Sequence, residues 1–226
     1  YGLSYVPGPF VHSIQIGKGS GSVLNGFESI TGQINVSFKN PANTDPLYIN
    51  GYLGTSGRSE LNVIWRPDMK TRLRPLFLVH GAYSSLRSDM NNDGFMDNPL
   101  FSNLVLRNEW HLESEKGLGG QYVFSYMHIA NASGKLEYDP NDEIKSLLWG
   151  VQSATDRYEF SGKTGYVFRE KDWKSFGSQL SASWHDQVST YGFRTYNGEQ
   201  MSARANLLFA TRIVNNSHKI TTAISY

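Results

Sequence analysis

The chain has no cysteine among its 226 residues. That excludes a disulfide framework, a thiolate nucleophile and a cysteine-held metal. It also lacks any apolar run near the ~18–20 residues a membrane helix needs. Hydrophobic residues make up only 39% and are dispersed along the chain. This absence leaves a β-barrel open, because barrel strands hide their apolar side chains in alternation. Neither sign of charge dominates: 21 Lys and Arg stand against 20 Asp and Glu. A net charge of +1 gives no basic footprint for nucleic acid, and no nucleic-acid partner is expected. The six histidines (His12, His80, His111, His128, His185, His218) form no i,i+4 pair and no metal-ligand spacing. No nucleophile elbow is found, so an enzyme is not expected. Tyr1-Gly2-Leu3 carries no basic or apolar leader. The expectation is an interior piece of a longer polypeptide.

What the chain does have is alternation. Ala203, Ala205, Leu207, Phe209 and Ile213 share one parity, while Ser202, Arg204, Asn206 and Arg212 share the other. Successive strand side chains point to opposite faces, so one face is oily and the other wet. The pattern recurs. Tyr158, Phe160, Tyr166 and Phe168 oppose Glu159, Ser161 and Lys163; Phe176, Leu180, Ala182 and Trp184 oppose Gln179, Ser181, Ser183, His185 and Gln187. Leu104, Leu106, Trp110 and Leu112 oppose Asn103, Arg107, Glu109 and His111. Aromatics on the apolar face and charges on the polar face, strand after strand, describe a membrane barrel with a wet lumen.

The alternation predicts strands near 47–55, 59–66, 76–85, 102–112, 119–130, 157–169, 176–189, 202–213 and 219–226. Several of these reach about 10–14 residues, beyond the usual ~5–6 and long enough for a tilted crossing. Short connections at 115–117, 170–172 and 215–217 alternate with longer ones at 89–99, 131–155 and 192–200. Barrels alternate short periplasmic turns with long outer loops in this way. A tight turn near Ser56-Gly57 is the exception at the outer end. Trp65, Trp110 and Phe168 stand near strand ends by short turns, where an aromatic girdle belongs. Arg107, Glu109, His111, Glu159, Lys163, His185, Arg204 and Arg212 are expected to face the interior.

The first stretch differs. Val11-His12-Ser13-Ile14-Gln15-Ile16 reads as a strand, followed by the small-residue loop Gly17-Lys18-Gly19-Ser20-Gly21-Ser22. Leu24 stands where a dinucleotide fingerprint needs its third glycine, and no phosphate-loop Lys-Ser/Thr pair follows. Then come Val23-Leu24-Asn25-Gly26, Ser29-Ile30-Thr31-Gly32 and the strand Gln33-Ile34-Asn35-Val36-Ser37-Phe38. In this order these residues resemble the end of the plug domain of TonB-dependent outer-membrane receptors. The alternating strands that follow look like the start of that family's barrel. The resemblance implies a fold class: all-β, an antiparallel transmembrane β-barrel, preceded by the end of a plug. Its divisions are residues 1–41 as the C-terminal part of the plug, 42–46 as linker and 47–226 as the N-terminal part of the barrel. About nine strands are present, where the family closes its barrels with about 22. An open edge in hydrocarbon leaves backbone groups unpaired at several kcal/mol each, so the expectation is a partial barrel completed by further strands.

The sharpest local motif is Asp89-Met90-Asn91-Asn92-Asp93-Gly94-Phe95-Met96-Asp97. It matches the first nine positions of an EF-hand-type loop, with oxygens from Asp89, Asn91, Asp93 and Asp97 and the Phe95 carbonyl, and Gly94 at the sharp turn. Leu100 stands where the bidentate glutamate belongs, so a full EF-hand is excluded. The alternative is a solvated polar loop of turn formers. A calcium ion here would be structural and weakly held, and no other cofactor is required.

As the resemblance implies, the function would be energised import of a scarce nutrient across the outer membrane of a Gram-negative bacterium. The substrate class is a metal chelate or siderophore, a vitamin or an oligosaccharide. The partners would be the TonB–ExbB–ExbD complex, acting through a segment absent here, the rest of the barrel, the nutrient itself, and a surface lipoprotein. The alternative is a passive porin-like or surface-binding barrel.

Overall fold

The computed structural model describes residues 5–19, 32–69, 71–142, 144–213 and 218–226. The expected loop and turn over 20–31 lie outside these residues, as do the first four residues, Glu143 and the expected turn at 215–217.

The described residues are mostly strand, with almost no helix. A 3₁₀ turn at Gly8–Phe10 leads into β1 (Val11–Lys18), which pairs antiparallel with β2 (Gly32–Phe38). A turn follows over the predicted linker. Asn40 caps it, accepting from Ala42 N at 2.9 Å on its side chain and from Thr44 Oγ1 at 2.7 Å on its carbonyl. Nine strands then run in chain order: β3 (Leu47–Leu53), β4 (Arg58–Trp65), β5 (Leu73–Ser84), β6 (Leu100–Glu113), β7 (Leu118–Gly134), β8 (Gly150–Phe168), β9 (Lys171–Tyr191), β10 (Arg194–Arg212) and β11 (Lys219–Ser225). They form one antiparallel sheet in sequence order, with β3 and β11 at its edges.

All nine predicted sheet strands are present, and six of them, β5 to β10, are longer than expected. The predicted loop over 192–200 is overturned. Arg194 pairs with Tyr191, and the ladder continues through Glu199↔Asp186 and Gln200↔His185. Only Gly192 and Phe193 turn the chain, and Gly192 takes φ +59. Glycine at the first central position suits a two-residue hairpin turn matched to strand twist. The predicted 131–155 loop shrinks for the same reason: Asn131–Gly134 and Gly150–Thr155 zip into the β7–β8 ladder. The polar residues there misled because an end of a strand beyond the apolar zone keeps its backbone pairing while losing its oily face.

One face of the sheet carries the core. Phe10, Ile64, Leu76, Leu78, Val105 and Met127 are buried together, with Tyr5, Phe38 and Tyr48 packed against them. The N-terminal residues therefore sit on this face, called inner below. The outer face is oily and uncovered. Leu61, Val79, Leu104, Leu106, Phe124, Tyr158, Phe176, Leu180 and Leu207 are all exposed on it. A water-soluble sandwich buries its apolar face; here the buried face is the mixed one, and includes Asn62, His80, Glu109, Ser125, Thr155 and Ser189.

Register orders the outer face into rows. Ile49, Val63, Val79, Leu106, Tyr126, Tyr158, Trp184 and Met201 are successive cross-strand partners. Aromatics border the oily zone on both sides. Towards the long loops stand Tyr83, then Tyr126, Tyr158 and Trp184; towards the short turns stand Trp65, Phe77 and Trp110, then Tyr166, Phe176 and Phe209. Relative to that row, the first border falls from two pairs above it at Tyr83 to the row itself at Tyr158. The second falls from one pair below it at Trp65 to four pairs below it at Phe176. Both borders slide the same way across the sheet. A level slab cut through tilted strands produces this drift.

Candidate functional site

The inner face is built on a repeated local device. Arg58-x-Glu60, Arg107-x-Glu109 and Arg157-x-Glu159 each place an arginine two residues before a glutamate on one strand face. In all three the pair closes, at 2.8, 2.6 and 2.6 Å. Glu60 extends inward through Asn62, whose Nδ2 donates to Glu60 Oε1 at 2.9 Å, and Asn62 Oδ1 meets His80 Nδ1 at 2.7 Å. Glu109 is only 1% exposed. Besides Arg107, it meets His111 Nε2 at 3.0 Å and accepts from Gln121 Nε2 at 3.3 Å. Burying a carboxylate is tolerable only with this degree of pairing.

Two of these arginines also hold the N-terminal residues. The Arg107 guanidinium lies 4.0 Å from the centre of the Phe38 ring, and that of Arg157 lies 6.0 Å from the Tyr5 ring. Phe10 meets the His80 ring edge-on at 6.3 Å. A hollow of about 400 Å³ opens beside them on the inner face. Arg107, Arg157 and Arg204 line it with Glu159 and a set of serines, Ser125, Ser161, Ser181, Ser183 and Ser202. Arg107 and Arg157 are already paired with glutamates, so the hollow presents serine hydroxyls and largely neutralised charge, which suit a polar guest.

The long loops are at the other end and pack on each other. Arg87 Nη2 donates to Tyr138 O and to Asp139 Oδ2, both at 3.2 Å. Met96 N donates to Gly134 O and Leu136 N to Gly94 O, both at 2.9 Å. Phe95 bridges to Lys135, and its ring meets Trp149 at 6.0 Å. Tyr138 is buried against Gly150, where an added Cβ would meet its ring at 2.4 Å. Burial, and then the Asp139 carboxylate, push the Tyr138 phenol above its ordinary pKa.

The predicted calcium residues share one turn in the first of these loops. Asp89 accepts from Asp93 N at 3.1 Å and Gly94 N at 2.8 Å; Asp93 accepts from Phe95 N and Asp97 from Met90 N, both at 2.8 Å. Gly94 takes φ +83 and Asn92 takes +57. The carboxylates of Asp89, Asp93 and Asp97 thus cap backbone N–H groups of the turn that also carries Asn91 and Phe95. Among the described residues, no three acidic or histidine side chains converge into a closed cation shell.

Arg107, Glu109, Glu159, Lys163, His185 and Arg204 share the inner parity with buried Leu78 and Ser125, as the alternation predicts. Two other groups were not foreseen. His128 and Asp156 are partners on the outer face, where Asp156 Oδ1 meets His128 Nδ1 at 3.0 Å and accepts from Tyr126 Oη at 2.8 Å. The arginine–aromatic contacts were missed too, although the repeated Arg-x-Glu spacing pointed to the inner face. Scanned against protein-family models and curated proteins, the chain matches none.

Proposed function

We propose that this chain forms part of the wall of an outer-membrane β-barrel, with its N-terminal residues seated in the lumen, and that the whole serves as a TonB-dependent importer of a scarce nutrient. The observation that carries the membrane reading is the exposed oily zone bordered by two aromatic rows. On β8 the borders at Tyr158 and Tyr166 are eight residues apart, or ~27 Å along a strand. Tilt reduces that toward the ~25 Å apolar band of outer-membrane barrels. The free edges at β3 and β11 call for further strands, because hydrocarbon offers their backbone no partner.

The importer reading rests on the plug-like N-terminal sequence and on its place against Arg107 and Arg157. A porin has no need of a separate glycine-rich N-terminal domain. Transport, with no catalysis, fits a site made of paired charges and serines. TonB, driven through ExbB and ExbD, would act on the plug; a surface lipoprotein would meet the outer loops. Calcium would stiffen the Asp89–Asp97 loop through Asp89, Asn91, Asp93, the Phe95 carbonyl and Asp97.

The absence of cysteine makes the wall directly testable. In the full-length protein in vesicles, Ser181→Cys on the inner face should react with a water-soluble maleimide, and neighbouring Leu180→Cys should not. Equal labelling of the two would remove the membrane reading. Uptake that survives collapse of the proton-motive force would leave a barrel but reject the importer.

A further inference from the structure

Two hollows are stacked on the outer face of β5–β10, one register row apart. The lower is a trough of about 1030 Å³ in the oily zone. Its lining is almost wholly apolar. Phe124, Tyr158, Phe160 and Trp184 form its walls, and the small Ala182 and Ala203 leave the gap between them. The upper hollow, about 470 Å³, lies beyond the aromatic border. There Tyr83, Ser102 and Gln152 stand on the outer face, and Arg87, Asp139 and Asn141 come from the long loops. Arg87 and Asp139 pair with each other, so the upper hollow presents amides, hydroxyls and a self-neutralised ion pair beside the apolar Ala130, Ala132, Ala154 and Val188.

The row between them is acidic. His128, Asp156, Asp186 and Glu199 are successive cross-strand partners. Trp184 Nε1 donates to Glu199 Oε1 at 2.6 Å, and Tyr126 and His128 fix Asp156. Carboxylates accept hydrogen bonds and repel phosphate. A guest crossing this row therefore presents hydroxyl donors there. Its tail is apolar and its head is neutral and polar.

We infer that these two hollows together form a binding site for a neutral glycolipid of the surrounding membrane. Its acyl chain fills the trough, its first sugar hydroxyls meet the Asp156–Asp186 row, and its outer sugar enters the upper hollow. The stacking of an apolar trough, an acceptor row and a mixed hollow of no net charge, with polar groups beside small apolar ones, on one face matches the order of groups in such a lipid, since a sugar ring offers both hydroxyls and apolar C–H faces. The inference rests on the membrane reading and not on the importer reading.

The test uses the full-length protein, purified in a zwitterionic detergent and placed in phosphatidylcholine nanodiscs. Binding of galactosyl diacylglycerol is compared with that of phosphatidylglycerol bearing the same chains. The wild type should prefer the galactolipid about tenfold, a factor worth ~1.4 kcal/mol. Ala182→Trp, which fills the trough, and Asp156→Asn, which weakens the acceptor row, should each lose that preference. Both variants should still insert, as read by flotation with the discs. Equal binding of the two lipids by the wild type, or an unchanged preference in Ala182→Trp, overturns the glycolipid site. Failure of the wild type to float would instead overturn the membrane reading beneath it.

Discussion

The guanidinium of Arg107 bonds Glu109 at 2.6 Å while lying 4.0 Å from the centre of the Phe38 ring. One side chain thus satisfies a buried carboxylate of the sheet and holds the last residue of β2. Sheet and N-terminal pair are coupled through it.

Removal of this arginine should therefore cost more than one contact. Arg107→Ala leaves Glu109 with only His111 and Gln121, and a broken buried pair typically costs about 3–5 kcal/mol. The expected outcome is a large fall in melting temperature and faster amide exchange over residues 32–38. Adding Glu109→Gln should recover part of that loss by removing the stranded charge. Phe38→Leu should speed the same exchange with little change in melting. If Arg107→Ala leaves exchange at 32–38 as in wild type, the coupling is absent.

The outer face should reject charge where the inner face accepts it. Leu180→Arg puts a charge within the oily zone, where such substitutions cost about 2–4 kcal/mol near the midplane. Ser183→Arg, three residues on, faces the serine-lined hollow opposite Glu159 and should cost less than about 1 kcal/mol. Urea-unfolding titrations of the full-length protein in vesicles measure both. Similar costs for the two would mean that the faces do not differ in solvent.

The loop edge depends on glycine at 150. A Cβ there meets the Tyr138 ring, so Gly150→Ala should cost about 1–3 kcal/mol by overpacking and displace Tyr138. The phenol pKa is raised in the folded loop. Its protonated form is thus the one the fold favours. Stability is full below the unfolded phenol pKa, ~10, and declines as pH climbs from there through the folded value. Ultraviolet titration should show late-ionising tyrosine absorbance in wild type, and the part due to Tyr138 should return toward the ordinary range in Gly150→Ala. A Tyr138→Phe control identifies it.

Calcium should bind the Asp89–Asp97 loop weakly, in the ~10⁻⁴–10⁻³ M class of extracellular modules. Calorimetry on the full-length protein should give heat for wild type and none for Asp93→Ala. Identical heats would assign the loop to backbone capping alone.

The arrangement of strands was legible because alternation is local. Leu104 and Leu106 against Arg107 and Glu109 divide β6 into faces before any partner is known. The hairpin at Gly192 was not legible, since Arg194–Gln200 carries too few apolar residues to signal a strand; pairing with β9 supplies what its side chains do not. The inner-face ion pairs were half visible as three Arg-x-Glu spacings. Their aromatic partners Phe38 and Tyr5 were not, because nothing in the chain states which strand faces them.

By itself, then, the sequence determined that these segments are strands and which side chains share a face, since a period of two assigns both. Tertiary structure alone decided the register. A slip of two residues keeps every side chain on its face and so leaves no mark on the alternation. Only register sets Tyr126 beside Tyr158 and Trp184, Asp156 beside His128 and Asp186, and the two aromatic borders in drift across the sheet. Only the packing of distant loops brings Arg87 to Asp139, because such contacts depend on where the chain returns in space.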